Sequence, residues 1–165
     1  MKKVITDQNV SGIYFKMIQS IEPSTILDFG LFLQRLGAVS RQVKDMGIPE
    51  DVELNGIFLE GQQVFPVTTE IYNHIWSLET WMQSWKVENI KYDLICMMEL
   101  NGENDIYPGN KEKFWNWAKD HCHCILTSEP RERLESIPVE KQLVPIRLET
   151  AEYQLVVFSR LEESR

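Results

Sequence analysis

One stretch limits the possible folds of this chain more than any other: Thr25-Ile26-Leu27-Asp28-Phe29-Gly30. It is followed without a break by Leu31-Phe32-Leu33-Gln34-Arg35-Leu36-Gly37. An apolar run of strand length ending at a glycine, then a run with helical spacing, reads as a buried parallel strand turning into a helix. A parallel strand needs a crossover connection and helices to cover its faces, so the class is α/β. In an open α/β sheet the carboxyl end of such a strand is where a ligand usually binds. Asp28 gives the run its chemical interest, because a carboxylate inside an apolar strand needs hydrogen-bond donors.

The rest of the chain supports one domain over residues 1–165. At 165 residues it can bury a real core. Its 43% apolar and 25% charged content is that of a globular protein. A formal charge of −8 argues against a nucleic-acid surface, which draws on clustered Lys and Arg. No apolar run approaches the length of a membrane span, and Thr6-Asp7-Gln8-Asn9 interrupts any leader-like beginning. The three cysteines, Cys96, Cys122 and Cys124, do not form a disulfide framework. The expected setting is soluble and cytoplasmic.

The chain divides into an N-terminal helix (1–22), a β/α core (23–140) and a C-terminal β-hairpin (141–161). Asp7 or Asn9 caps the first helix, with Val10, Ile13, Tyr14, Met17, Ile18 and Ile21 on its apolar stripe, and Pro23 ends it. After the first strand, Leu33, Leu36, Val39 and Val43 predict a helix over 31–46, stopped by Gly47. A strand over 52–59, a short helix over 67–72 and a strand over 74–78 come next. A helix over 79–87 then carries Trp81 and Trp85 on one face, packed on the sheet. Tyr92 to Met98 reads as a strand covered on both faces. A helix over 111–121 and a strand over 122–126 follow, and then two extended segments, 143–148 and 153–160, form the terminal antiparallel pair.

In this succession the chain resembles the class I S-adenosylmethionine-dependent methyltransferases over nearly its whole length. Ile26-Leu27-Asp28-Phe29-Gly30 is similar to the family's first motif, hydrophobic-Asp-x-Gly before a glycine-rich turn. Leu54-Asn55-Gly56-Ile57 is similar to its second strand, and Tyr92-Asp93-Leu94-Ile95 to its fourth. The resemblance implies one doubly wound, mostly parallel seven-stranded sheet with an antiparallel C-terminal strand and helices on both faces. It also implies S-adenosylmethionine as cofactor, held near Asp28 and Gly30, with Glu99 at the tip of the fourth strand. Phe58 stands where the family has its ribose-holding acid, with Glu60 two residues on. The adenine-contacting position falls at Leu78 or Glu79, depending on the register of the third strand.

The departures gather at this same place. The family turn runs Gly-x-Gly-x-Gly, because side chains there would occupy the room of the cofactor's amino-acid portion. Here the turn is Gly30-Leu31-Phe32-Leu33-Gln34, and Phe32 falls on the second glycine. Two readings stay open. In one the pocket is degenerate, plugged by apolar side chains, and the protein is a non-catalytic interaction or assembly module, as a homodimer or with a protein partner. In the other it is an active methyltransferase for a small-molecule or sugar-like acceptor, with an altered glycine loop. Side chains of Leu31, Phe32 and Leu33 in the pocket favour the first; side chains turned into helix packing permit the second. No residue is singled out as catalytic.

His121-Cys122-His123-Cys124 has the residue types of a metal site. On a strand the two cysteines would face one way and the two histidines the other, so the four cannot surround one ion, and no metal is expected. His74 opens a strand and reads as structural or surface-lying. Trp115 and Trp117, two apart on a helix, cannot share a face, and the exposed one would suit a subunit contact.

Overall fold

The computed structural model of the chain describes residues 15–16, 18–35, 37–40, 42–43, 46–59, 61–84, 91–97, 117, 121–130, 142–145 and 153–160. Residues 15–16 and 18–21 are helical. Strand β1 (Thr25–Phe29), helix α1 (Phe32–Arg35), β2 (Gln42–Val43), β3 (Met46–Gly47) and β4 (Glu53–Phe58) follow. Then come α2 (Pro66–Ile71), β5 (His74–Ser77), α3 (Leu78–Ser84), β6 (Tyr92–Met97), β7 (Cys122–Pro130), β8 (Gln142–Pro145) and β9 (Tyr153–Arg160).

Five strands run parallel in the order β5-β4-β1-β6-β7, so the fold is α/β with a mostly parallel sheet. The chain leaves β1 toward β4 and β5 on one side, then returns to lay β6 and β7 on the other. The order therefore reverses beside β1, which places the carboxyl end of this strand at the topological switch point. Beyond β7, the chain of β9 pairs antiparallel with it, and β8 pairs antiparallel with β9.

Alternation along β1 divides the interior in two. Ile26 belongs to a cluster with Phe15, Ile18, Leu54, Ile71, Tyr72, Leu94 and Cys96. Leu27 and Phe29 belong to another with Ile57, Trp81, Ile95 and Ile125. Trp81 meets Phe29 edge-on at 5.0 Å and Trp117 edge-on at 5.3 Å, the geometry that the aromatic quadrupole favours. Trp81 thus packs on the sheet as expected, and Trp117 is half-buried; Trp85 and Trp115 lie outside the described residues. On the first helix Phe15 and Ile18 are buried and Ile21 half-buried, a stripe that takes in Phe15. At the sheet's lower rim, Asp93 Oδ2 accepts from Ser24 N at 2.6 Å and Thr25 Oγ1 accepts from Asp93 N at 2.9 Å, tying the starts of β1 and β6.

Two expectations need correction. The helix expected over 31–46 is only Phe32–Arg35. Gly37 adopts φ +76° and its N–H donates to Gln34 O, while Ala38 N–H donates to Leu33 O. That pair of bonds is a Schellman stop, with glycine in its left-handed position. Beyond it Val39 is 75% exposed, and β2 and β3 form a small antiparallel pair where the helix was expected. The spacing of Leu33, Leu36, Val39 and Val43 mimicked a longer helix, and Gly37 was its true end. The second correction concerns the thiols. Cys122 lies in the Trp81 cluster and Cys124 in the opposite one, so they do not share a face. Cys122 follows directly on the helical His121 and precedes the regular alternation of β7.

Candidate functional site

Three backbone facts shape the tip of β1. Gly30 N–H donates to Ile57 O, binding the end of β1 to β4. Gly30 then takes φ +83° and Leu31 φ +49°, both left-handed, and α1 begins at Phe32. Glycine enters that region freely, whereas a leucine there costs about 1 kcal/mol, which surrounding packing must offset. The offset is visible: Leu31, Phe32 and Leu33 are all buried within the cluster that holds Ile26, Leu54 and Tyr72.

Gly56 in β4 makes room for this. A Cβ there would lie 2.5 Å from Leu31 Cδ2 and 2.9 Å from Tyr72 Cδ1, closer than side chains pack. Glycine inside a strand often marks such a close approach. Gly56 is the register partner of Asp28, so leucine and tyrosine pack beside the carboxylate.

Asp28 itself is fully buried. Its Oδ2 accepts from Phe32 N at 3.0 Å and from Tyr72 Oη at 2.5 Å, while among the described residues Oδ1 has no hydrogen-bond partner. Burial pushes the Asp28 carboxyl up to about 6, against the lowering effects of Tyr72, the Arg35 charge and the α1 backbone amides. Burial and the neighbouring carboxylate likewise push the Tyr72 phenol well above its usual range. Arg35, on α1, lies over the Phe32 ring at 5.5 Å. The place a Gly30 side chain would take is walled by an Arg35 guanidinium nitrogen and Leu59 Cδ1, each 3.5 Å away.

The segment after β4 closes over this turn through two glutamines. Gln62 Nε2 donates to Gly30 O at 2.7 Å, and its Oε1 accepts from Leu59 N at 3.0 Å. From α1, Gln34 Nε2 donates to Gln63 O at 2.7 Å, while its Oε1 accepts from Phe65 N at 3.0 Å and Thr68 Oγ1 at 2.5 Å.

Of the residues singled out in the sequence, Asp28, Gly30 and Phe32 come together here. Phe58, at the end of β4, is half-buried against the Leu31 cluster. The pairing of Phe58 with Ser77 makes Ser77 the tip of β5, and its Oγ accepts from Thr80 N at 3.0 Å to cap α3. Leu78 and Glu79 are therefore the first residues of α3, Leu78 half-buried and Glu79 exposed. Glu60 and Glu99 lie outside the described residues. Tyr72, Arg35, Gln34 and Gln62 were not singled out, and only the glycine in β4 hinted that something bulky approaches the strand.

Cys96, Cys122 and Cys124 are buried, and burial together with Cys124 raises the Cys122 thiol well above its ordinary value. His121 stacks on Trp117 at 4.7 Å, and His74 stacks on Trp76 at 5.5 Å. Among the described residues no three His, Cys, Asp or Glu side chains gather as a metal site would require, and no helix is long and apolar enough to cross a membrane.

No family model matches the chain, and no curated protein matches it in sequence. Solved structures do. A Thermoplasma acidophilum protein, 1320, superposes with a TM-score of 0.60 at 13% identity, over 98% of this chain and 93% of its own. The O-methyltransferase TomG from Streptomyces achromogenes, in complex with S-adenosylmethionine (SAM), gives 0.56 at 10% identity over 98% and 84%. The O-methyltransferase from Bacillus cereus, in complex with S-adenosylhomocysteine (SAH), gives 0.53 at 12% over 96% and 82%. The chain has a Rossmann-like methyltransferase fold.

Proposed function

We propose that this chain is a methyltransferase-fold protein whose S-adenosylmethionine pocket has been taken into its own packing, and that it serves as a non-catalytic interaction or assembly module. The observation that carries this reading is Leu31. It accepts a left-handed backbone and sends its side chain onto Gly56, with Phe32 buried next to it at the place of the family's second glycine. Because these side chains join the cluster of Ile26, Leu54 and Tyr72, the same packing also permits the second reading given below. Gly30 O, which faces the tip, is already engaged by Gln62. The residues present do not fit S-adenosylmethionine in the family's manner. The placement of β9 between β7 and β8 is read as the family's inserted last strand, which completes its seven-stranded sheet. The partner is proposed to be a second copy of the chain or another protein.

A second reading is favoured by Asp28. Its carboxylate is buried with one oxygen lacking a donor among the described residues, and perturbed buried acids concentrate at functional sites. Here the chain would be an active methyltransferase for a small-molecule or sugar-like acceptor, with Asp28, Glu79, Glu60 and Glu99 as the carboxylates available to hold S-adenosylmethionine, the methyl donor.

Isothermal calorimetry with S-adenosylmethionine and with S-adenosylhomocysteine separates the two. The expected result is no saturable heat up to millimolar ligand. Saturation in the micromolar range would overturn the first reading in favour of the second.

A further inference from the structure

Residues 61–71 form a strap across the tips of β1 and β4, held to the end of β4 by Gln62 and Leu59 and to the β1–α1 segment by the longest-range of its hydrogen bonds. Gln62 bonds Gly30 O, Gln34 bonds Gln63 O, Phe65 N and Thr68, and Tyr72, at the strap's end, donates to Asp28. Among these groups only Asp28 titrates in the ordinary pH range. At one end of the strap Gly61 stands at φ +80° with nothing within 4 Å of the place of a side chain. At the other, Asn73 is pinned to β4, its N–H donating to Leu54 O and its Oδ1 accepting from Leu54 N. We propose that Asp28 is a proton-operated release for this strap, holding it on the β1 turn when protonated and freeing it when ionised.

The geometry sets the direction. In the closed form both donors converge on Oδ2, and the buried Oδ1 has none among the described residues. Lifting Tyr72 from Asp28 lets water reach both oxygens, which stabilises the charged form more than the neutral one. From α1 the Arg35 cation faces Asp28 and favours ionisation, but burial outweighs it. From the end of α2 comes the Tyr72 phenol, which stays protonated, and from β6 the buried thiol of Cys96, the register partner of Asp28. β4 offers only Gly56. The closed strap therefore binds the Asp28 proton more tightly than the open one, and rising pH must shift the equilibrium toward opening. The carboxyl stands at about 6 when closed against 3.8 for a free side chain. The opening constant should thus rise up to about a hundredfold between pH 4 and pH 7.

The test is native-state hydrogen exchange on the full chain from pH 4 to pH 7.5, corrected for intrinsic exchange rates. The amides of Phe65, Thr68 and Tyr72 report the strap, and those of Leu94 to Cys96 report global unfolding. Strap amides should exchange through a smaller opening of their own, about a hundredfold more open at the high-pH end, and Asp28→Asn should flatten that dependence. Tyr72→Phe keeps the ring over Gly56 and removes the bond that favours ionisation, so its midpoint should move to higher pH. Strap exchange that is pH-independent, or that tracks the β6 amides throughout, overturns the proposal. So does an unmoved midpoint in Tyr72→Phe, which also decides the matter if Asp28→Asn fails to fold. None of these outcomes depends on whether a cofactor binds.

Discussion

Leu31 and Gly56 work as a pair. The leucine occupies a backbone region it disfavours, and the glycine leaves the space that compensates it. Gly56→Ala should cost about 1–3 kcal/mol, the usual range for overpacking, since the added methyl meets both Leu31 and the Tyr72 ring. Leu31→Ala should cost about 2–5 kcal/mol as a cavity mutation. The double variant should lose less than the sum, because the alanine methyl at 56 then enters space the leucine has left. Urea denaturation of the four proteins measures the coupling; strictly additive losses would show that the two do not touch. The motif around Asp28 was legible in the sequence because its residues are adjacent. The pairing of 31 with 56 was not, since it joins positions 25 residues apart with no shared pattern.

Among the elements, α1 departs most from what its spacing suggested. Apolar residues at helical intervals say that a helix is possible, not where it stops. The stop is made by Gly37, whose left-handed conformation completes the Schellman bonds. A side chain at 37 would meet nothing within 4 Å, so Gly37→Ala isolates the conformational cost from packing. The expected loss is about 1 kcal/mol by thermal or urea unfolding. A neutral or stabilising result would mean that the helix end is set by something other than the glycine. The short helix matters for the site, because it brings Gln34 and Arg35, on its second half, over the strap and the β1 turn.

For the whole molecule, Asp28 makes stability depend on pH in an unusual direction for a carboxylate. Its folded-state value is raised, from 3.8 to about 6, so the folded chain binds the proton more tightly than the unfolded one. Its contribution is fully present below pH 3.8 and is lost as pH rises through about 6. The difference between 3.8 and about 6 corresponds to roughly 3 kcal/mol. Asp28→Asn should therefore be more stable than the parent by about 1–3 kcal/mol at pH 7.5. The advantage should shrink toward pH 4. Denaturant midpoints across that range check both statements; a variant less stable at pH 7.5 would mean that the ionised carboxylate is a net asset to the fold.

By itself the sequence determined the class of fold, the interior position of the strand ending at Gly30, and the apolar run Leu31-Phe32-Leu33 that follows it directly. These follow from local patterns: apolar runs of strand length, turn glycines, and residue types at adjacent positions. Only the tertiary structure decided where the side chains after Gly30 went, which glutamines closed the tip, and that Asp28 shares one oxygen between a helix amide and a tyrosine 44 positions away. Periodicity records which residues face inward; it carries no trace of which inward-facing residues meet, because that depends on the crossing of β4 and α2 over β1.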